Sequence, residues 1–270
     1  MRVFVTGATG FIGSAVVREL IDNGHHVLGL ARSEASVKSL VAAGGEVHRG
    51  SLEDLESLRS GAAAADGVIH TAFIHDFANY GPAAEADRRA IATLGDALAG
   101  SDHPLVVTSG TLLAQRHGSL ATEEDGPNPS LPRKSEEAAV ALAARGVRAS
   151  VLRLPPSVHG PGDHGFVPHL IGIAREKGVS AFLGDGLNRW PAVHLLDAAH
   201  LYRLVLENSS AGARYHGVAD EGVSTREIAE VIGRHLHVPV VSKSREEAAG
   251  HFGWIGLFFG SDGPASSALT

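Results

Sequence analysis

Cysteine is missing altogether from the 270 residues. Disulfides and thiolate metal centres are therefore excluded, and a reducing compartment is the simple reading. No apolar run is long enough to span a bilayer. The chain opens Met1-Arg2 and runs straight into Val3-Phe4-Val5, without the apolar region and cleavage site of a signal peptide. The expected location is cytoplasmic, with no membrane partner. Neither sign of charge dominates: 23 basic residues face 30 acidic ones, for a net charge of −7. That balance argues against nucleic acid or an anionic surface as the partner. His-Glu-x-x-His, Gly-x-Ser-x-Gly and a Walker-type Gly-Lys-Ser/Thr are also absent, which disfavours zinc hydrolysis, serine hydrolysis and P-loop chemistry. The histidines supply only the close pairs His25-His26 and His235 with His237, so no metal site is expected. Aromatic residues make up just 5%, and one stretch concentrates them: "HFGWIGLFFG" (251–260). It can border a substrate pocket, form a dimer contact or close a small lobe, and the last is the default reading.

What the chain does contain is an alternation of short apolar strands and amphipathic helices. Strands are expected at 2–6, 26–30, 46–48, 67–70, 105–108 and 149–154. Helices are expected at 11–22, from 54, at 84–98 and at 135–144, with Ser33 capping one more. This pattern predicts a doubly wound α/β fold, a parallel sheet with helices on both faces. Beyond residue 158 the elements become less regular. The expected division is 1–158 for a dinucleotide-binding domain and 159–270 for a smaller substrate lobe, with 191–218 returning to the large sheet. Helices are expected at 167–175, 196–206 and 224–236, with strands near 214–218 and 238–241.

Between the first strand and first helix lies "VTGATGFIG" (5–13). Glycines here permit positive φ and close approach of a pyrophosphate, and the helix N-terminus offers free N–H groups. The candidates for holding a dinucleotide are Gly7, Thr9, Gly10, Phe11, Ile12 and Gly13. An acid at the end of the second strand would bind both ribose hydroxyls. This chain instead has Gly29-Leu30-Ala31-Arg32-Ser33, with no acid before Glu34. Arg32 can stack on adenine and pair with a 2′-phosphate, and Ser33 can donate a hydrogen bond. NADP(H) is therefore favoured over NAD(H); the plain alternative makes Arg32 a solvated surface residue.

The opening "VTGATGFIGSAVV" resembles that of the short-chain dehydrogenase/reductase superfamily, in its extended or atypical NAD-dependent epimerase/dehydratase branch. Further resemblances follow in order. "RGSLEDLESL" implies Ser51 and Leu52 near adenine, and "DGVIHTAF" implies Thr71, Ala72 and Phe73 beside the ribose and pyrophosphate. "LVVTSGT" implies Thr108 on the cofactor side and Ser109 as the active-site serine. "VLRLPPSVHGPGD" implies that Pro155 to Val158 frame the nicotinamide, and "RWPAVHLLDAAHL" resembles a strand returning toward the sheet before a helix. The similarity spans nearly the whole chain and implies a Rossmann fold. Relatives usually continue past such an end, which a truncated C-terminus would explain.

One departure concerns the catalyst. The family uses Tyr-x-x-x-Lys, which puts a proton-transferring tyrosine and a ribose-binding lysine on one helix face. Here Tyr80, Tyr202 and Tyr215 are followed four positions later by Ala84, Leu206 and Ala219. Alignment by resemblance places Arg133 at the lysine and Pro129 at the tyrosine, or Lys134 and Ser130 after a shift of one. Arg133 or Lys134 can hold the ribose. For proton transfer the candidates are His75 and Tyr80, in the loop "FIHDFANYG" after the fourth strand; Ser109 is the candidate ligand for the substrate oxygen. His159 reads as packing. Asp185-Gly186 with Asn188, Arg189 and Trp190 reads as a substrate-side wall, with Trp190 itself favoured as core. Two functions compete: an NADP(H)-dependent oxidoreductase acting on a small-molecule carbonyl or alcohol, with epimerase or dehydratase variants, or a catalytically lapsed NADP(H) sensor. A monomer or a homodimer is expected.

Overall fold

The computed structural model describes residues 1–76 and 79–270, with Leu257 described by its backbone alone. The first half alternates strictly. β1 (Arg2–Thr6), β2 (His26–Ala31), β3 (Glu46–Arg49), β4 (Gly67–His70), β5 (Leu105–Gly110) and β6 (Ala149–Leu154) are separated by α1 (Phe11–Asp22), α2 (Glu34–Ala42), α3 (Leu55–Ala63), α4 (Tyr80–Leu98) and α5 (Ser135–Ala143). The strands are apolar in both alternating positions because helices cover both faces. On β1, Val3 and Val5 pack with Val16 and Leu20 of α1, whereas Phe4 turns to the opposite core with Leu58, Ile91 and Leu94 of α3 and α4. Burial of each such side chain contributes roughly 1.5–3 kcal/mol.

The second half is built differently. It contains β7 (Ser157–His159), α6 (Phe166–Lys177), β8 (Ser180–Leu183), β9 (Arg189–His194), α7 (Leu195–Asn208) and β10 (Arg214–His216). After these come β11 (Asp220–Ser224), α8 (Thr225–Leu236), β12 (Val240–Lys243), α9 (Arg245–Phe252) and α10 (Gly256–Phe259). The seven-stranded sheet runs β10-β6-β5-β4-β1-β2-β3, and every pairing in it is parallel. The chain starts at β1 in the interior, winds out to β3, then returns to β4 on the other side. That reversal opens a crevice at the carboxyl ends of β1 and β4.

Of the segment expected to rejoin this sheet, α7 packs on it and β10 extends its edge. The strand β9 does not join; it pairs with β7 and β11 in a separate three-stranded sheet. β8 and β12 form a further parallel pair. Helix α4 begins at Tyr80 rather than at the expected Ala84. Pro82 sits in its first turn, where a missing N–H costs nothing. Tyr80 therefore stands at a helix start and not in the loop; Phe77 and Ala78 of that loop lie outside the described residues. Ser33 caps α2 as the sequence suggests, and Ser224 caps α8 through a capping box with Glu227.

One ionic cluster ties the layers together. Arg153, on β6, is fully buried and donates to both carboxylate oxygens of Glu136 at 2.9 and 2.6 Å. It also donates to the carbonyls of Thr122 and Asp125 and to His216 Nε2. His216 in turn donates from Nδ1 to the Ser266 carbonyl at 2.7 Å. Burial, together with the neighbouring Arg153 charge, holds the His216 imidazole below its ordinary pKa. Among the described residues, no helix is long and apolar enough to cross a membrane.

Candidate functional site

The cleft begins at the glycine turn. Gly7 has φ of +71°, and an added Cβ there would meet Thr71 Oγ1 at 2.7 Å and Ala72 N at 2.8 Å. A Cβ on Gly13 would collide with the Gly7 carbonyl. Gly10 caps α1 without a side chain, and no acid lies in the first turn. The amides of Phe11, Ile12 and Gly13 thus lack helical acceptors and keep a positive end for an anion. The donor set and the room left by absent side chains fit a pyrophosphate.

From this turn a cleft of about 1000 Å³ runs along the carboxyl edge of the sheet. It brings together Gly7, Thr9, Gly10, Phe11, Ile12 and Gly13 with Arg32, Ser51 and Leu52 at one end. Thr71, Ala72, Phe73, Thr108, Pro155 and Val158 line its middle, together with Ser109, His75, Tyr80 and Arg133. Ser33 stays outside the lining: its hydroxyl accepts from Ser36 N at 3.2 Å as the cap of α2. Arg32 is exposed and makes no hydrogen bond or ion pair among the described residues. The neighbouring acid Glu34 is paired with Arg49 at 2.6 Å.

Four side chains converge at the centre. The Arg133 guanidinium lies 4.1 Å from the Phe73 ring centroid. His75 packs edge-on against the same ring at 5.4 Å, and Tyr80 tilts against it at 5.9 Å. Burial and the Arg133 charge both hold the His75 imidazole below its ordinary pKa. Burial pushes the Tyr80 phenol up, an effect partly offset by Arg133. Ser109 is only 3% exposed, and its Oγ has no hydrogen-bond partner among the described residues. A buried hydroxyl left open this way loses a hydrogen bond's worth of free energy unless a ligand completes it.

Arg133 is fixed from behind by Ser135 and Thr108, with Asp87, His70 and Thr6 behind them. Its Nε donates to Ser135 Oγ at 2.8 Å and its Nη2 to the Thr108 carbonyl at 3.1 Å. Ser135 donates to Asp87 Oδ2 at 2.5 Å, and His70 Nε2 lies 3.2 Å from Asp87 Oδ1. His70 Nδ1 meets the Thr6 hydroxyl at 2.8 Å. Asp87 is raised by burial, but its bonds with His70 and Ser135 and the Arg133 charge outweigh that and hold it below the usual carboxylate range. Thr108 Oγ1 donates to the His70 carbonyl, so the buried Tyr202 hydroxyl donates to Thr108 at 2.6 Å. Burial pushes the Tyr202 phenol far up, and the side chain lies away from the cleft.

Between the two alternatives for the ribose-binding cation, Arg133 faces the cleft. Lys134 turns outward, donating to the Pro129 carbonyl and pairing with Glu137. The expected wall of Asp185 to Trp190 is a correction. Asn188 donates to the carbonyls of Phe259 and Ser261, Arg189 pairs with Asp262, and Trp190 is core at 1% exposure. These residues are used up in joining β9 to the C-terminal segment. Phe166, His169, Trp254 and Phe258 form the wall instead, with Leu112, Leu113 and Asp163. The aromatic stretch thus does two things: Phe252, Ile255 and Phe259 close the lobe core, while Trp254 and Phe258 border the cleft. His159, read as packing, is exposed and packs edge-on against the His194 ring at 5.6 Å.

Sequence reasoning passed over Asp87 and His70. Asp87 did leave a trace: it falls in the apolar stripe Ala83, Ala84, Ala90, Ile91, Leu94, where a charge has to be buried. Among the described residues there is no group of three or more His, Asp or Glu that could hold a metal ion.

A parallel sheet with an anion-binding glycine turn and a cleft at its switch point defines a dinucleotide-binding α/β class. The NAD-dependent epimerase/dehydratase family model matches residues 3–124, and the chain belongs to this family. A Schizosaccharomyces pombe protein described as uncharacterised is 53% identical over 272 residues, covering 100% of this chain and 92% of that protein. The 2-alkyl-3-oxoalkanoate reductase of Stenotrophomonas maltophilia is 29% identical over 263 residues, covering 90% and 78% respectively. Among solved structures, a dTDP-glucose 4,6-dehydratase from Streptomyces venezuelae with NAD bound matches at a TM-score of 0.76 and 23% identity, covering 100% of this chain and 94% of that one.

Proposed function

We propose that this protein is an NADP(H)-dependent oxidoreductase that reduces a small-molecule carbonyl or oxidises the matching alcohol. Epimerisation or dehydration through a transient ketone are variants of the same chemistry. The observation that carries the proposal is the buried, unpartnered hydroxyl of Ser109, a residue that lines the cleft starting at the glycine turn. Ketone reduction is also the chemistry in the name of the Stenotrophomonas maltophilia relative. In this reading residues 1–158 hold the dinucleotide and 159–270 choose the substrate, in the cytoplasm, as a monomer or a homodimer.

The amides of Phe11, Ile12 and Gly13 bind the pyrophosphate. Thr9, Gly7 and Gly10 shape the turn, and Thr71 and Ala72 flank the ribose. Ser51 and Leu52 border adenine. Arg32, without a carboxylate partner, binds the 2′-phosphate and gives the preference for NADP(H). Ser33 would reach that phosphate only by giving up its cap on α2. Pro155 and Val158 form the apolar side of the nicotinamide site, with Thr108 opposite. When bound, the reduced nicotinamide supplies a hydride to the carbonyl carbon and becomes oxidised. Ser109 donates to the carbonyl oxygen and fixes its direction. Tyr80 delivers the proton: burial keeps its phenol protonated at neutral pH, and Arg133 stabilises the phenolate left behind. His75 is the weaker donor, because its lowered pKa leaves it neutral at neutral pH.

The sensor reading has one observation in its favour. The family's tyrosine–lysine pair is absent, and Tyr80 is shifted up rather than down. The deciding experiment follows NADPH absorbance with a panel of aldehydes, ketones and keto-sugars. Substrate-dependent oxidation, weakened in Ser109→Ala, supports the oxidoreductase. Tight NADPH binding without turnover of any compound supports the sensor. A reduction rate that stays level from about pH 6 to 8 supports Tyr80, whereas a rate falling steadily across that range points to His75.

A further inference from the structure

The two walls of the cleft are chemically unlike. Its cations are Arg32, at the adenine end, and Arg133. Arg133 already donates to Ser135 and the Thr108 carbonyl, lies on the Phe73 ring and sits 3.8 Å from Asp87. No lysine lines the cleft among the described residues, and its carboxylates are Glu53, Asp76 and Asp163, the last at the start of α6. Helix α6 starts at this wall, but Asp163 Oδ1 already accepts from Gly165 N at 2.7 Å, which sets a negative charge at that N-terminus. A diphosphate on this side would meet the Asp163 carboxylate beside the helix start and no arginine fork free of other partners, and a buried anion without partners is costly.

The wall offers flat apolar surface instead. Phe166 and Phe258 stack at 5.4 Å with 28° between their planes. Trp254 leans on His169 at 5.3 Å and 36°. Phe166 also packs at 5.5 Å against Trp190, which is 1% exposed and anchors the group to the lobe core. Trp254 lines the cleft and remains 42% exposed, far more than an indole in a core. An anchored aromatic wall in the same cleft as the unpartnered Ser109 hydroxyl recognises a planar apolar body.

Resting on the oxidoreductase reading above, we infer that the substrate is an uncharged aromatic or conjugated carbonyl compound, with its ring against Trp254 and Phe258 and its carbonyl toward Ser109. A nucleoside-diphosphate sugar is not the substrate, although a matching structure is a dTDP-glucose dehydratase.

The test joins binding to turnover. The chain has two tryptophans: Trp190 is enclosed, so quenching by a cleft ligand reads Trp254. Phenyl ketones and benzaldehydes, their carboxylate derivatives and a UDP-keto-sugar are titrated into the protein with and without NADPH. NADPH oxidation is followed in parallel. The uncharged aryl carbonyls are expected to quench, and to exceed their carboxylate partners by at least about tenfold in affinity and in kcat/KM. Trp254→Phe should abolish the quench, and Trp254→Ala should raise KM for aryl substrates about tenfold while sparing NADPH affinity. Saturable turnover of the UDP-keto-sugar in preference to aryl carbonyls overturns the inference and leaves the oxidoreductase reading standing. Absence of quenching by every aryl carbonyl overturns it too. Aryl quenching with no NADPH oxidation defeats the oxidoreductase reading instead, and keeps the aromatic site.

Discussion

Ser135 and Glu136 are neighbours on α5, yet they serve two buried polar clusters with different consequences. Ser135 joins Thr6, His70 and Asp87 behind Arg133, and the cluster ends at the cleft. Glu136 joins Arg153, Arg214 and His216, and that cluster ends at the chain's last residues. In the first, an open-sided arginine is held by a carboxylate 3.8 Å away, with a serine between. In the second, an enclosed arginine has a bidentate carboxylate and two carbonyl acceptors. The same residue types make a charge that is positioned for use in one place and a charge that is consumed by packing in the other. The difference lies in whether the guanidinium retains a face toward the cleft.

Variants can break that comparison. The largest effect is expected for Arg153→Ala, which leaves Glu136 buried and half-paired; urea unfolding should show a loss of about 3–5 kcal/mol. Cofactor affinity, measured where the variant is folded, should be unchanged. Asp87→Ala should cost about 3 kcal/mol by the same measurement, because Ser135 and His70 lose an acceptor. Unlike Arg153→Ala, it should also lower kcat/KM by about tenfold, since Arg133 loses its alignment. Arg133→Met removes the charge but keeps most of the stem; a drop of about 100-fold in kcat/KM with a small change in stability is expected.

Acid separates the clusters again. The folded pKa of His216 lies below its ordinary 6.5. The unfolded chain therefore binds a proton that the folded one refuses, and stability should fall as pH drops below about 6.5. Asp87, also shifted below its ordinary 3.8, contributes stability that is present above that value and lost only as pH falls through the lowered one. A pH series of unfolding curves should show two acid limbs, with His216→Asn reducing the upper one, to which His75 and His251 also contribute, at a scale of about 1.4 kcal/mol per pKa unit. The smallest effect belongs to Lys134→Ala. This residue points away from the cleft, so stability and kcat/KM should stay within about 0.5 kcal/mol of the parent.

The glycine turn was legible before any coordinates, because its chemistry is backbone chemistry: spacing, lack of Cβ and a strand-to-helix junction are all local. The alternation of strands and helices was equally readable, and so was Ser109 at the end of the fifth strand. The choice between Arg133 and Lys134 was not. One residue of register before a helix decides which side chain faces the cleft, and the bonds from Arg133 to Ser135 and Thr108 set that register. The wall was misassigned to Asp185 to Trp190 for a related reason. Those residues are polar and turn-rich in sequence, but their polar groups are taken up by segments about 70 residues away, at Phe259 and Asp262.

By itself, then, the sequence determined the periodic and the local: a doubly wound α/β half, a cradle for a pyrophosphate and the absence of the family's tyrosine–lysine pair. Tertiary structure decided what depends on distant segments meeting. Only folding carries Asp87 beneath Arg133, sets Phe73 between Arg133, His75 and Tyr80, and swings Trp254 and Phe258 onto a cleft that begins at Gly7. Arg133 lies 46 positions from Asp87 and 60 from Phe73, and Trp254 lies 247 from Gly7, where no spacing rule along the chain can reach.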